Sequence, residues 1–312
     1  MNAKAKLPIH KRLFIFFNER FPLHIYIPFV VFLYLSMNFS IQALQTTNVV
    51  IDTYTFVGLI SSLLFMLLIR MFDELKDFEL DKIIFPNRPV PRGDVLKSDL
   101  HLIAVFTFIS LVFINVIFAP KTLLVFGFVM VYALLTFKWF FAEKLHLNNI
   151  FLTMLTHQPL PYLINFYLLH TALASGANYE TFTIAHFTLL LFFSIPITIW
   201  ETSRKIRNKE KEDGYQTFSR VLGSSGATLI PLTAVLITTA LSFYAGSLLY
   251  LGLSFFVITI IAAIYASIFY IRFIVNPSEN NNNLETTATI FSLTVSLDLV
   301  IHLLFAINIS II

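Results

Sequence analysis

Nine long apolar runs, separated by shorter polar ones, set the pattern of this chain. They cover about 22–43, 53–72, 98–118, 121–141, 149–171, 182–202, 226–244, 247–273 and 287–311. A helix needs about 20 mostly apolar residues to cross a bilayer, and each run comes close to that length. The fifth is interrupted by His157, Gln158, Pro159 and Pro161, and a tight turn near Ala245, Gly246 and Ser247 joins the seventh to the eighth. The pattern predicts an all-α polytopic membrane protein with nine transmembrane helices.

The polar positions give an orientation. With nine spans, 20 of the 21 Lys and Arg residues fall on one side, and only Lys121 falls opposite. Cytoplasmic loops retain such residues, so the N-terminus is expected inside and the C-terminus outside. Composition agrees: the 312 residues are 57% hydrophobic and 12% charged, against about 25% charged in soluble domains. A soluble enzyme is excluded on that ground. The net charge of +3 follows from topology, with no call for nucleic acid as a partner. The chain has no Cys, which rules out disulfides and thiolate metal sites. Residues 1–21 read as a basic cytoplasmic leader lying along the membrane surface. Residues 22–312 read as one transmembrane domain, with functional cytoplasmic loops at 73–97 and 201–225. The expected location is a bacterial-type inner or plasma membrane, with the lipid bilayer as a partner and the active side cytoplasmic.

Charge is unusually concentrated after the second run. Asp73, Glu74, Asp77 and Asp81 lie within nine positions. If that helix continues past Phe72, a step of about 100° per residue puts all four carboxylates on one face. Each like-charged pair about 6 Å apart then costs roughly 3 kcal/mol before screening. A cation among them would relieve this, and all-oxygen ligands suit Mg2+. The plainer alternative is a solvated acidic face neutralised by Arg70, Lys76 and Lys82. Next comes "RPVPRG" (88–93), in which two prolines end the helix and Gly93 permits a turn. Arg88 and Arg92 are thereby presented on a stiff loop, and the guanidinium fork suits phosphate oxygens. A metal-diphosphate site is the reading these features share.

These residues resemble the UbiA superfamily of intramembrane prenyltransferases. Its N-D-x-x-D-x-x-x-D motif has the spacing seen from Asp73 to Asp81, with Asp73 for the asparagine and Glu74 for the first aspartate. Its R-P-x-P-S-G turn matches "RPVPRG", with Arg92 for serine. The family's second motif, D-x-x-x-D followed by K-x-G-x-x-T and L-G, aligns with "WETSRKIRNKEKEDGYQTFSRVLG" (200–223). Gly214, Thr217, Leu222 and Gly223 fall in register. Glu201 takes the first aspartate position, Lys205 falls on the second, and about five extra residues precede Gly214. Glu210, Glu212 or Asp213 are candidates for the missing carboxylate. Tyr132 and Lys138 match a further Tyr…Lys pattern.

The resemblance implies a prenyl diphosphate as donor and a lipophilic, aromatic acceptor as the second substrate. Mg2+ would be held by Asp73, Glu74, Asp77, Asp81 and Glu201, which are also the expected catalytic residues. Arg88, Arg92, Tyr132, Lys138, Arg204 and Lys205 would bind the diphosphate. A UbiA-type terpene cyclase is the alternative. A transporter is disfavoured, because ion sites in transporters lie near the bilayer midplane. Within the spans, His157, Asn165, Asp298 and His302 are further candidates by default, although Asp298 and His302 are spaced to satisfy each other.

Overall fold

The computed structural model describes residues 7–175, 182–212 and 217–311. In chain order the helices are α1 (Ile9–Glu19), α2 (Leu23–Ala43), α3 (Thr53–Lys76), α4 (Phe78–Ile84), α5 (Lys97–Phe118), α6 (Leu123–Phe137), α7 (Glu143–Asn148), α8 (Ile150–His157), α9 (Pro159–Ala174), α10 (Ile184–Ser203), α11 (Phe218–Leu248), α12 (Leu253–Val275) and α13 (Leu284–Leu304). Short strands β1 (Asn48–Ile51) and β2 (Asn308–Ile311) complete the fold.

Local chemistry sets several starts. Asp52 accepts the Thr55 amide at 3.1 Å and caps α3. Asn149 accepts the Leu152 amide at 3.0 Å at the head of α8. Each cap satisfies a donor that the first turn leaves free.

Among the described residues, eight helices are long and apolar enough to cross a membrane. The expected fifth span is instead two short helices, α8 and α9. Pro159 opens α9 at the position where a missing N–H is tolerated. The expected seventh, eighth and ninth spans shift: the seventh belongs to a helix running on to Leu248, so Ala245, Gly246 and Ser247 are helical and the turn comes after them, the eighth starts at Leu253, and the ninth stops at Leu304. The chain then leaves the helix, and β2 pairs in parallel with β1 from Asn48↔Asn308 to Ile51↔Ile311. This pairing brings the end of the chain to the loop between α2 and α3, opposite the acidic end of α3.

The bundle interior is apolar with a few paired polar groups. Tyr167 donates to Asn115 Oδ1 at 2.6 Å, and Asn115 donates to Ser61 at 3.0 Å, joining α9, α5 and α3. In hydrocarbon a polar group without a partner costs several kcal/mol, so such groups come in closed sets. The outer faces carry exposed Phe106, Ile109, Phe113 and Ile261, as suits contact with lipid. The last turns of α3 and α10 finish at the same end of the bundle, where the charged loops collect.

Candidate active site

The helix from span two does not run unbroken through the four carboxylates. α3 ends at Lys76, Asp77 leaves helical geometry with φ −91° and ψ 5°, and α4 starts at Phe78. Nor do all four acids share a face. Glu74 is one position, about 100°, beyond Asp73 and reaches partners that Asp73 does not. It is 3% exposed, accepts from Arg20 at 2.6 Å and pairs with Arg70. Burying that charge is tolerable because two guanidinium groups hold it. Asp73 makes no ion pair with either arginine among the described residues. Its side chain is half exposed, its nearest cation is Lys76 at 3.9 Å, and it lies in the field of Glu201 and Arg204 of α10.

The break swings α4 round so that Asp81 meets the arginine-proline turn. Arg88 donates to both Asp81 oxygens at 2.8 and 2.7 Å and stacks 3.7 Å above Phe85. Gly93 adopts φ 85°, a region that a side chain disfavours, and its amide closes the turn on Val90 at 3.1 Å. Arg92 points outward to Glu19 at 2.6 Å and Asp94 at 2.5 Å. Helix α1 is therefore strapped over this loop, by Glu19 and Arg20 and by Arg12, which grips Asp99 at 2.7 Å.

The opposing wall is built by the end of α10. That helix stops at Ser203. Glu201 accepts from Arg204 at 2.6 and 2.8 Å and pairs with Lys205 at 2.7 Å. Glu212 accepts from Thr217 at 2.6 Å and Ser219 at 2.5 Å, which ties it to the head of α11. Glu210 is exposed. Asp213 and Gly214 lie outside the described residues. Gly223 takes φ 73° and kinks α11 one turn after its start, a conformation that explains why glycine stands there.

Tyr132 lies within α6 and Lys138 directly follows it. The Tyr132 hydroxyl donates to the Thr156 carbonyl at 2.9 Å. Lys138 ends α6, is exposed and has its ammonium 5.2 Å from the Phe137 ring. After it, Trp139, Phe140 and Phe141 all have positive φ, from 49° to 59°, each costing roughly 1–2 kcal/mol. The rings of Trp139, Phe140, His146 and His157 pack together at 5.0–6.1 Å. His157 thus belongs to a ring cluster, while Asn165 donates to Ser194 at 3.0 Å. His302 Nδ1 sits 3.0 Å from Asp298, as their spacing implied.

Asp77 is half-buried beside Asp73 and Asp81. Its carboxyl is pushed up to about 6, first by burial and then by Asp73 and Asp81, which outweigh the opposing pull of Lys76 and Lys205. Asp77 makes no ion pair among the described residues, whereas Asp81, Glu74 and Glu201 are all held by arginine or lysine. No three His, Asp or Glu side chains among the described residues converge tightly enough to form a preassembled metal cage. The donor chemistry nevertheless fits Mg2+. That ion is commonly held by one or two carboxylates, with phosphate oxygens and water completing its octahedron, and Asp73 and Asp77 are two carboxylates one turn apart without an arginine on either. Sequence reasoning missed Arg20, Trp139 and the role of Lys76, since all depend on contacts between distant segments.

A sequence model of the UbiA prenyltransferase family matches residues 28–293. The chain belongs to the UbiA prenyltransferase family. No curated protein matches the sequence closely. Among solved structures, one described as giving insights into digeranylgeranylglyceryl phosphate synthase in membranes is similar, with TM-score 0.66 and 14% identity, over 94% of this chain and 99% of that one. A ligand-free UbiA homologue from Aeropyrum pernix K1 is similar with TM-score 0.57 and 14% identity, over 85% of this chain and 97% of that one. At such identity these likenesses speak for the fold. Together with family membership they make the chain an integral membrane protein of the prenyl-transferring type. Within the UbiA pattern, the positions one helical turn apart, Asp73 and Asp77, face the second motif, and the adjacent Glu74 faces Arg20.

Proposed function

We propose that this UbiA protein is a Mg2+-dependent prenyltransferase that moves a prenyl group from a prenyl diphosphate to a lipophilic acceptor within the bilayer. The observation that carries this reading is the pairing of two carboxylates that no arginine holds among the described residues, Asp73 and Asp77, with a facing wall of Arg204 and Lys205. A dication and an anion are both called for at one mouth, and a metal diphosphate supplies both. In this account α8–α9 together make the remaining traverse, and the charged mouth faces the cytoplasm.

Asp73 and Asp77 would hold Mg2+, with Asp81 beside them on its Arg88 tether. Bound there, Mg2+ supplies Lewis-acid neutralisation of charge on the leaving diphosphate. The protein groups do the rest by position. Arg204 and Lys205 offer fixed donors toward the departing oxygens, and Glu201 keeps both cations in place. Preorganised charge of this kind acts mainly on the developing negative charge of the transition state. The C–O bond to the diphosphate breaks, the allylic carbon becomes electron-poor, and the acceptor forms the new bond and loses a proton. Glu74, locked between Arg20 and Arg70, braces α1 against α3. Arg92 ties α1 to the arginine-proline turn through Glu19.

The chain's departures from the family pattern favour keeping one rival in view, because Lys205 stands where the second motif has a carboxylate. A cyclase would consume prenyl diphosphate alone. Purified protein supplied with Mg2+ and prenyl diphosphates of several lengths, with and without membrane extract, separates the two. Prenylated lipophilic product that needs the extract supports transfer, and cyclic hydrocarbon or alcohol without it supports the cyclase.

A further inference from the structure

The charge of Lys76 is in an odd place. It stands at a polar end of the bundle, yet its side chain is 10% exposed. Its ammonium is 4.3 Å from the centre of the Trp139 ring and 3.9 Å from Asp73 Oδ1, and its charge is felt at Asp77. A lysine at a helix end ordinarily reaches for water, because its ammonium is strongly hydrated. Here the aromatic face and the carboxylate replace part of that water.

The tryptophan is held in place. It opens the run of three positive-φ residues, a backbone that persists only where its surroundings over-determine it. His157 at 5.0 Å and His146 at 5.8 Å support the ring from other sides. The site therefore carries a resident cation next to the carboxylate that stands where the UbiA motif has a neutral asparagine. Lys76 answers the extra negative charge of Asp73.

We propose that Lys76 is a positioning residue that pairs with Asp73 before substrate binds, and passes to a diphosphate oxygen when the metal diphosphate enters. This rests on the prenyl-diphosphate reading above. The consequence is coupling. A dication arriving alone must displace the ammonium from Asp73, with only water to receive it. A dication arriving with diphosphate brings an acceptor for the same ammonium. Binding of each is then stronger in the presence of the other, and by linkage the effect is reciprocal.

The test is titration of the full chain in nanodiscs with Mn2+, read by electron paramagnetic resonance, with and without inorganic pyrophosphate. In the unmodified protein pyrophosphate is expected to tighten Mn2+ binding by about tenfold or more. In Lys76→Met, Mn2+ alone is expected to bind about fivefold or more tightly than in the unmodified protein, with the coupling reduced. Lys76→Arg keeps the charge and is expected to restore the coupling. A merely structural lysine would give the opposite sign, since damage to the site weakens Mn2+ binding. Thermal melting of both variants reports whether they fold. Pyrophosphate binding with unchanged coupling in Lys76→Met would overturn this inference alone. Absence of any pyrophosphate binding to the unmodified protein would overturn the prenyl-diphosphate reading and this inference with it.

Discussion

The two walls of the charged mouth are both helix ends, and they are charged in opposite ways. On the α3–α4 wall, Asp73 has one lysine at 3.9 Å and Asp77 has no ion pair among the described residues. On the α10 wall, Glu201 is held by Arg204 at 2.6 Å and Lys205 at 2.7 Å. A carboxylate can serve a metal only with lone pairs that no strong partner already uses, and breaking a partly buried ion pair is costly. The first wall is therefore suited to a dication and the second to an anion. Family motifs that look like two equivalent acidic clusters are here two complementary ones.

The largest effect should come from the acidic wall. Asp77→Asn is expected to lower kcat/KM for Mg2+-dependent diphosphate release by about a hundredfold or more. Release measured at the unmodified rate would break the comparison at once. Next is Arg88→Ala. It leaves Asp81 without its bidentate partner, so KM for the prenyl diphosphate is expected to rise about tenfold, with a lower melting temperature. Glu201→Gln should be milder. It loosens Arg204 and Lys205, so diphosphate affinity falls about fivefold, while Mn2+ affinity in the absence of diphosphate stays unchanged. If Mn2+ affinity falls with Glu201→Gln as far as with Asp77→Asn, both walls hold metal and the contrast is wrong.

The smallest effect concerns stability. Asp77 titrates near 6 in the folded protein, above its unfolded value, so its charge opposes folding at neutral pH. That penalty is present above the folded pKa and disappears as pH falls toward the unfolded one. Asp77→Asn is therefore expected to raise stability by about 1 kcal/mol at pH 7, after allowance for solvent screening. The gain should shrink between pH 6 and about 4. Melting curves of both forms across that range check it. A variant less stable than the unmodified protein at pH 7 would mean that Asp77 has a stabilising partner.

Much of this was legible in the sequence because it depends on local spacing. The apolar runs give the helices, and the spacing of Asp73, Asp77 and Asp81 gives the acidic wall. The arginine-proline turn needs its glycine and its prolines whatever surrounds it. What escaped depends on chain segments meeting from afar. Arg20 finds Glu74 across 54 positions, and this turns one acid out of the cluster. The parallel pairing of β1 with β2 joins segments some 260 positions apart, which no local hydropathy reveals. The break at Asp77 lies between these cases. Crowded like charges make it plausible, but its direction is set by Arg88 waiting on the next turn. Lys76 looked like an ordinary neutralising charge until Trp139 was placed against it.

The account's central claim is that this mouth transfers a prenyl group with the help of a divalent cation held by the α3–α4 wall. The most direct measurement is mass spectrometry of lipophilic products from the unmodified protein and Asp77→Asn, each given prenyl diphosphates and membrane extract, with and without Mg2+. The account predicts an acceptor heavier by one prenyl unit, formed by the unmodified protein only when Mg2+ is present and lost in the variant. The same product at the same yield from Asp77→Asn, or from the unmodified protein without any divalent cation, would contradict it.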